Sequence, residues 1–240
     1  MRIPEDFWLT GKPIAHRGLW DENIPENSLL AYEKAAEKRY PVEIDVYLTK
    51  DGKIVSFHDV SLERMTDEKG LIYEKSYEEL KNLRLNGSAH TIPLLEEVFS
   101  VCEGKSPLLI EIKDQPRGKE LTEKLVGILK NYRGEFAVQS FNPLYIRQVK
   151  KRAPQFIRGI LATTNVSSIQ SALKRRIVKK MSLNFLIKPD FISYDYTGYP
   201  LPEKKVKKKI CLAWTVTSYE IWDKIKPYVD NIIFEGFSVD

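Results

Sequence analysis

Histidine and cysteine are scarce in this chain: its 240 residues contain three of the first and two of the second. Both cysteines, Cys102 and Cys211, lie inside apolar segments. That usage excludes a disulfide framework and reads as buried free thiols of a reducing compartment. No apolar run approaches the roughly 18–20 residues of a membrane span. The N-terminal stretch MRIPEDFWLTGKPIAHRG has no apolar core of signal-peptide length. The sequence therefore predicts a soluble, cytoplasmic protein. Internal repeats and low-complexity linkers are absent too, which favours one domain over 1–240. Neither charge sign dominates: 38 Lys and Arg against 33 Asp and Glu leave a net +5. That excess is too small to argue for nucleic acid, and suits an anionic substrate or a passing contact with anionic lipid. With 42% hydrophobic and 30% charged residues, wholesale disorder is excluded.

What recurs is short apolar runs alternating with amphipathic stretches. Eight runs read as strands: 12–16, 42–48, 107–112, 135–140, 157–161, 190–194, 210–216 and 231–234. Helical spacing marks 26–38, through Leu29, Leu30, Tyr32 and Ala36, and 118–131, through Leu121, Leu125, Ile128 and Leu129. Shorter helices are expected at 143–152, 167–175, 202–208 and 218–225. Strands alternating with helices predict a parallel sheet, and eight in this length predict an α/β (β/α)8 TIM barrel. The segment with Phe7, Trp8 and Leu9 is expected to cover the barrel floor or the place of a last helix. One connection, from 48 to 107, is too long for a simple crossover. It contains a hairpin, a small insertion at about 60–91 and a helix near 93–101, and long excursions of this kind usually carry function or cover a site.

Eight polar residues sit in or just after the first strands: His16, Arg17, Glu43, Asp45, His58, Asp59, Glu111 and Lys113. Active sites of such barrels form at the C-terminal ends of the strands. Within 42–58, Asp51-Gly52 is a favoured two-residue hairpin turn. It predicts Lys50 facing Lys53 and His58 opposite Asp45, on the face shared with Glu43. Carboxylates on neighbouring strands bind a hard cation through oxygen; Mg²⁺ or Ca²⁺ is favoured over zinc because no cysteine lies nearby. A cation-free alternative is an ion-pair network with Arg17 and Lys113.

The ordered set His16-Arg17-Gly18, Glu26-Asn27-Ser28, Glu43-Ile44-Asp45-Val46, Thr49-Lys50-Asp51-Gly52, His58-Asp59, Ile92-Pro93-Leu94, Glu111-Ile112-Lys113, Ser140-Phe141 and Trp214-Thr215-Val216 resembles the glycerophosphodiester phosphodiesterase family. The resemblance implies a barrel that cleaves a glycerol-bearing phosphodiester to sn-glycerol 3-phosphate and an alcohol. It further implies Glu43, Asp45 and Glu111 as ligands of a divalent metal, Mg²⁺ or Ca²⁺, and His16 and His58 as the acid/base pair. By the same likeness Arg17 and Lys113 hold the phosphate, while Phe141 and Trp214 wall the glycerol or leaving-group side. The nucleophile is water or the substrate's own hydroxyl. Two positions depart from the family pattern: Thr217 where Asn is common, and Phe234-Glu235-Gly236-Phe237 where Thr-Asp-x-Pro is usual.

Glu26-Asn27 reads either as part of that ordered set or as no more than a helix start with Asn27 as N-cap; Asp59 is expected to orient His58 or hold the hairpin end, and His90 to lie in a loop. Two basic runs, Lys174-Arg175-Arg176 with Lys179-Lys180 and Lys204-Lys205 with Lys207–Lys209, are solvated helix faces or a membrane-docking patch. Alternative activities on the same scaffold are a lysophospholipase D, a cyclising lyase, or a silent phosphodiester-binding barrel.

Overall fold

Short aliphatic runs close into one ring of parallel strands. The structure is a computed structural model, and it describes residues 3, 4, 6–165 and 181–239. The strands are β1 (Ile14–His16), β2 (Val42–Leu48), β3 (Ile54–Ser56), β4 (Leu108–Ile112), β5 (Phe136–Ser140), β6 (Arg158–Ala162), β7 (Phe191–Asp195), β8 (Ile210–Val216) and β9 (Asn231–Phe234). All but β3 are parallel, in the order β1-β2-β4-β5-β6-β7-β8-β9, and β9 pairs back onto β1. The eight parallel strands are those expected from the sequence. Helices between them include α1 (Leu29–Glu37), α3 (Leu95–Cys102), α4 (Gly118–Leu129), α5 (Pro143–Arg152) and α8 (Tyr219–Ile225); α2, α6 and α7 are single turns at Tyr77–Leu80, Asn184–Ile187 and Glu203–Val206. The helix expected at 167–175 lies outside the described residues.

Alternation along each strand divides the core. On β2 the residues Val42, Ile44, Val46 and Leu48 join the layer packed against the helices, with Leu108, Ile110 and Ile112 of β4. Inside the ring, Ile14, Leu109, Ala137, Phe191, Leu212 and Ile233 pack with Ile3 and Leu9, while Phe7 and Trp8 lie partly buried against them. The N-terminal segment thus closes the floor. Asn231, first residue of β9, fastens it by donating from Nδ2 to the carbonyls of Leu9 at 3.0 Å and Lys12 at 2.8 Å. Every residue of β2 is buried. Glu43 and Asp45 therefore enter the ring as buried carboxylates, an arrangement that needs compensation.

Two local expectations are corrected. The hairpin pairs Val46 with Ser56 and Leu48 with Ile54, so Phe57, not His58, lies opposite Asp45. Its loop has three residues, Lys50-Asp51-Gly52, with Gly52 in the left-handed region at φ 81°. Asp51 is drawn out of a two-residue turn because its Oδ1 accepts from the Thr49 hydroxyl at 2.6 Å and the Tyr77 N–H at 3.0 Å. The second correction concerns α1, whose N-cap is Ser28, accepting from the Ala31 N–H at 3.2 Å. Asn27 instead takes φ 55°, and its side chain turns into the site.

The connection from β3 to α3 builds a cluster of its own: Tyr47, Val55, Phe57, Leu62, Met65, Ile72, Leu80, Leu85 and Ile92, all buried. It stands over the side of the ring where β2 ends.

After β1 the chain turns sharply onto α1. Gly18 has φ 86°, and a Cβ there would lie 2.7 Å from the backbone carbon and oxygen of Ala31; the next residue, Leu19, donates to that oxygen at 2.9 Å. Gly18→Ala is expected to cost about 2–4 kcal/mol from backbone strain plus overpacking, read as a loss of thermal-denaturation midpoint, while Gly87→Ala, where a Cβ meets nothing within 4 Å, is expected to cost less.

Candidate active site

Register decides which polar groups meet. In parallel strands, paired residues point to the same side. His16 pairs with Glu43, Asp45 pairs with Glu111, and Glu111 with Gln139. These rungs lie toward the C-terminal ends of β1, β4 and β5, and in the first half of the longer β2. Glu43, Asp45 and Glu111 are 2%, 0% and 8% exposed, and each offers a carboxylate oxygen within 4.8 Å of the others.

Two cations are built around this trio. Lys113 Nζ lies 3.1 Å from Asp45 Oδ1 and 3.0 Å from Glu111 Oε1. Arg17 places Nε 3.6 Å from Asp45 Oδ2 and NH1 2.7 Å from Glu26 Oε1. Asn27 Nδ2 donates to Asp45 Oδ2 at 3.2 Å, and the Tyr32 hydroxyl donates to Asn27 Oδ1 at 2.6 Å, so that amide is held from behind. Burial works against ionisation of Asp45, yet Lys113, His58, Arg17 and His16 together hold its carboxyl well below the usual range. Burial likewise opposes the charge on Lys113, and Asp45 and Glu111 overcome it and raise its pKa. Glu43 is different. Its partners are the Arg17 N–H at 3.4 Å and the His16 ring at 4.0 Å. Burial, then the charges of Asp45 and Glu111, push it well above the ordinary carboxylate range.

Three buried carboxylates against two cations leave one acid without a counter-charge, and the donor set is all oxygen. Both features fit a hard divalent cation at Glu43, Asp45 and Glu111. An ion-pair network alone leaves Glu43 uncompensated.

The imidazoles flank this cluster. His16 ends β1, with Nε2 toward Glu43 and Nδ1 2.6 Å from Glu235 Oε2. His58 lies beyond the end of β3 and comes to the mouth through the loop rather than by cross-strand pairing, close enough for its charge to act on Asp45. Its Nδ1 is 2.6 Å from Asp59 Oδ1. Asp59 in turn receives Arg64 Nε at 2.5 Å, and Arg64 NH2 reaches Glu26 Oε1 at 2.7 Å. Burial would raise Asp59, but hydrogen bonds from His58 and Arg64 hold it well below its usual value. Burial depresses the pKa of His16 despite the bond to Glu235, which favours the neutral ring.

Phe141 and Trp214 meet edge to face, centroids 5.5 Å apart at 84°. Between the loops 18–23 and 234–237 runs an open groove of about 570 Å³, lined by Leu19, Trp20, Phe234, Glu235 and Phe237 among others. His90 sits in a loop where its carbonyl accepts from the Leu85 N–H at 2.9 Å. Of the basic runs, Lys204, Lys207 and Lys208 are exposed, whereas 174–176 and 179–180 lie outside the described residues. Sequence reasoning missed Arg64, which sits in the excursion with no periodicity or turn signal to mark it. Glu235 was visible only as a departure from a pattern.

A parallel barrel with acids, cations and imidazoles gathered at its mouth has the form of a (β/α)8-barrel enzyme equipped for acid/base work. Comparison with known proteins makes the class specific. The model of the glycerophosphoryl diester phosphodiesterase family matches residues 16–234. A glycerophosphodiester phosphodiesterase of Caldanaerobacter subterraneus subsp. tengcongensis is 34% identical over 233 residues, 92% of each chain. Among solved structures, an Oleispira antarctica phosphodiesterase in complex with the product sn-glycerol-3-phosphate superposes with a TM-score of 0.77 at 28% identity, over 92% of this chain and 91% of that one. A glycerophosphodiester phosphodiesterase from Parabacteroides distasonis gives 0.75 at 26%, over 93% and 94%. The chain belongs to the glycerophosphoryl diester phosphodiesterase family, and so to the phosphoric diester hydrolases.

The state of Glu43 gives a test with a definite sign. An acid whose folded pKa is raised keeps its proton in the native state while the unfolded chain loses it, so stability falls as pH rises above about 4.3. Glu43→Gln is expected to raise the thermal midpoint at neutral pH in EDTA by a few degrees, about 1 kcal/mol or more. The same variant is expected to lose most of the stabilisation that added Mg²⁺ or Ca²⁺ gives the parent protein. Calorimetry with and without the cation measures both.

Proposed function

We propose that the protein hydrolyses glycerophosphodiesters to sn-glycerol 3-phosphate and an alcohol, with a divalent cation, Mg²⁺ or Ca²⁺, at Glu43, Asp45 and Glu111 and acid/base work by His16 and His58. The observation that carries this reading is the buried, charge-deficient carboxylate trio with an imidazole on each flank. When bound, the cation supplies a positive charge against which phosphate oxygens can rest.

The chain's own residues do the rest. Arg17 and Lys113 are largely buried cations at the same mouth, suited to the phosphate's non-bridging oxygens and to the charge that grows on them; losing one such group commonly costs about 3–4 kcal/mol in the barrier. His16, favoured as the neutral ring by burial, accepts the proton of the attacking hydroxyl at Nε2. His58 delivers a proton to the departing alcohol oxygen. Phe141 and Trp214 form an apolar corner for the glycerol or the leaving group, and Trp214 Nε1, without a hydrogen-bond partner among the described residues, is available to donate to an ester or hydroxyl oxygen. The whole described chain serves as one catalytic unit in this reading, with 60–91 as an inserted segment over the mouth. Its two free, buried cysteines suit the cytoplasm. No helix among the described residues is long and apolar enough to cross a membrane. The run Lys204, Lys205 and Lys207–Lys209 would serve for passing contact with an anionic membrane, each residue adding up to about 1 kcal/mol.

Purified protein is expected to release sn-glycerol 3-phosphate from glycerophosphocholine only with Mg²⁺ or Ca²⁺ present, and EDTA is expected to abolish turnover. His16→Ala and His58→Ala are each expected to lower kcat by about 10²–10⁴-fold with the melting curve little changed. Phosphorus NMR in ¹⁸O-water reads the product and shows whether a cyclic phosphate precedes it. Near-full rate in either histidine variant would remove the acid/base assignment.

A further inference from the structure

The contact between His16 and Glu235 joins the first and last strands of the barrel. β1 and β9 pair in parallel, Ile14 with Ile233 and Ala15 with Phe234. Continuing that register by one residue brings His16 beside Glu235, just as the other edge of β1 brings His16 beside Glu43. One rung thus reads Glu235, His16, Glu43, with the imidazole between two carboxylates of different kind. Glu43 is 2% exposed and belongs to the trio. Glu235 is 23% exposed, stands on the outer side of His16 away from that trio, and lines the open groove.

The position of Glu235 is fixed by what surrounds it. Phe234 packs edge-on against Tyr40 at 5.5 Å and against Phe237 at 5.7 Å, so aromatic contacts hold the backbone on both sides of the carboxylate. Gly236 turns the chain at φ 75°. The Glu235 N–H donates to the Val216 carbonyl at 3.1 Å, tying the residue to the end of β8. A carboxylate held this way is a fixed acceptor.

An ionised carboxylate can only accept, so a bond of 2.6 Å to Nδ1 places the imidazole proton on Nδ1. Nε2 is then the nitrogen with the free lone pair, and it is Nε2 that faces Glu43. The second imidazole repeats the arrangement with a different carboxylate: His58 Nδ1 meets Asp59 at 2.6 Å, and Asp59 is braced by Arg64. Each ring has its Nδ1 occupied by an acid. For His58 that acid comes from the next residue in the chain. For His16 it comes from 219 residues away.

We propose that Glu235 is the positioning residue of His16: it holds the ring in the Nδ1–H tautomer and aims Nε2 into the site, without touching substrate itself. The inference rests on the diesterase reading for its kinetic consequence, and on the contact alone for its spectroscopic one. Outer partners of this kind typically contribute 10–100-fold, and a ring with the wrong tautomer loses its function as a base even when it stays in place.

The test uses Glu235→Ala and the isosteric Glu235→Gln in the full chain. In Glu235→Ala, kcat for glycerophosphocholine is expected to fall 10–100-fold while KM changes less than about threefold. The truncation leaves a space beside the open groove, so added formate is expected to restore a good part of kcat, and sodium chloride at equal ionic strength is not. The chain holds only three histidines, which makes the ring N–H signals assignable by proton-nitrogen NMR. A strongly deshielded Nδ1 proton of His16, identified by its loss in His16→Ala, is expected in the parent protein, and is expected to vanish in Glu235→Ala and move upfield in Glu235→Gln. Full kcat in both variants, a change confined to KM, or survival of the deshielded signal in Glu235→Ala would overturn the proposal. If Glu235→Ala does not fold, Glu235→Gln decides, with a tenfold or greater drop in kcat expected and an unchanged kcat overturning it. Should the parent protein hydrolyse no glycerophosphodiester, the proposed function fails, while the NMR comparison still decides the tautomer.

Discussion

Three carboxylates packed within 4.8 Å of one another in a nearly dry ring set the terms for everything around them. At such distances in a low-dielectric interior, like charges repel by several kcal/mol, and taking each one out of water adds to that. The chain answers with Lys113 between Asp45 and Glu111, with Arg17 behind Asp45, and with the amide of Asn27, itself held by Tyr32. These answers suffice for Asp45 and leave Glu43 short. A core that keeps an unpaired acid is costly as architecture, and the cost makes sense where a cation and a phosphate are to be received.

The supports of the site come from several levels of the fold. β1 gives His16, and the loop after it gives Arg17, pinned because Gly18 lets the backbone lie against Ala31. β2 and β4 give the acids on adjoining rungs. The segment before α1 gives Glu26 and Asn27. The excursion gives Arg64, whose guanidinium bridges Glu26 and Asp59 and so ties that segment to His58. Arg17 also binds Glu26. The two halves of the mouth therefore share one carboxylate, and a disturbance at Glu26 reaches both Arg17 and, through Arg64 and Asp59, the second imidazole.

Much of this was readable in advance, for physical reasons that can be named. Parallel strands are buried on both faces and appear as unbroken apolar runs, so all eight stood out, and acids inside such a run announce an unusual environment. The Glu43–Asp45 pair was legible for that reason. The hairpin register was not, because Asp51 is captured by the N–H of Tyr77, a partner 26 residues on that no local rule contains; the expected placement of His58 opposite Asp45 failed with it. Asn27 looked like a cap, yet its tertiary bonds to Asp45 and Tyr32 outweigh a cap's, and Ser28 takes that role. Arg64 had no signal at all, since its meaning depends on two acids brought near by the fold. The basic run at 174–180 lies outside the described residues.

Ring closure has a temporal side. His16 acquires its carboxylate neighbour from the residue just past the ninth strand, after the rest of the chain has been laid down in order. Contacts across so large a sequence separation form late, since the entropy of joining distant segments must be overcome first. A half-assembled barrel, even one with its acidic trio gathered from β2 and β4, would hold an unsteered imidazole. On the proposed role of Glu235, competence of that ring waits on completion of the circle, and partly formed species would be silent.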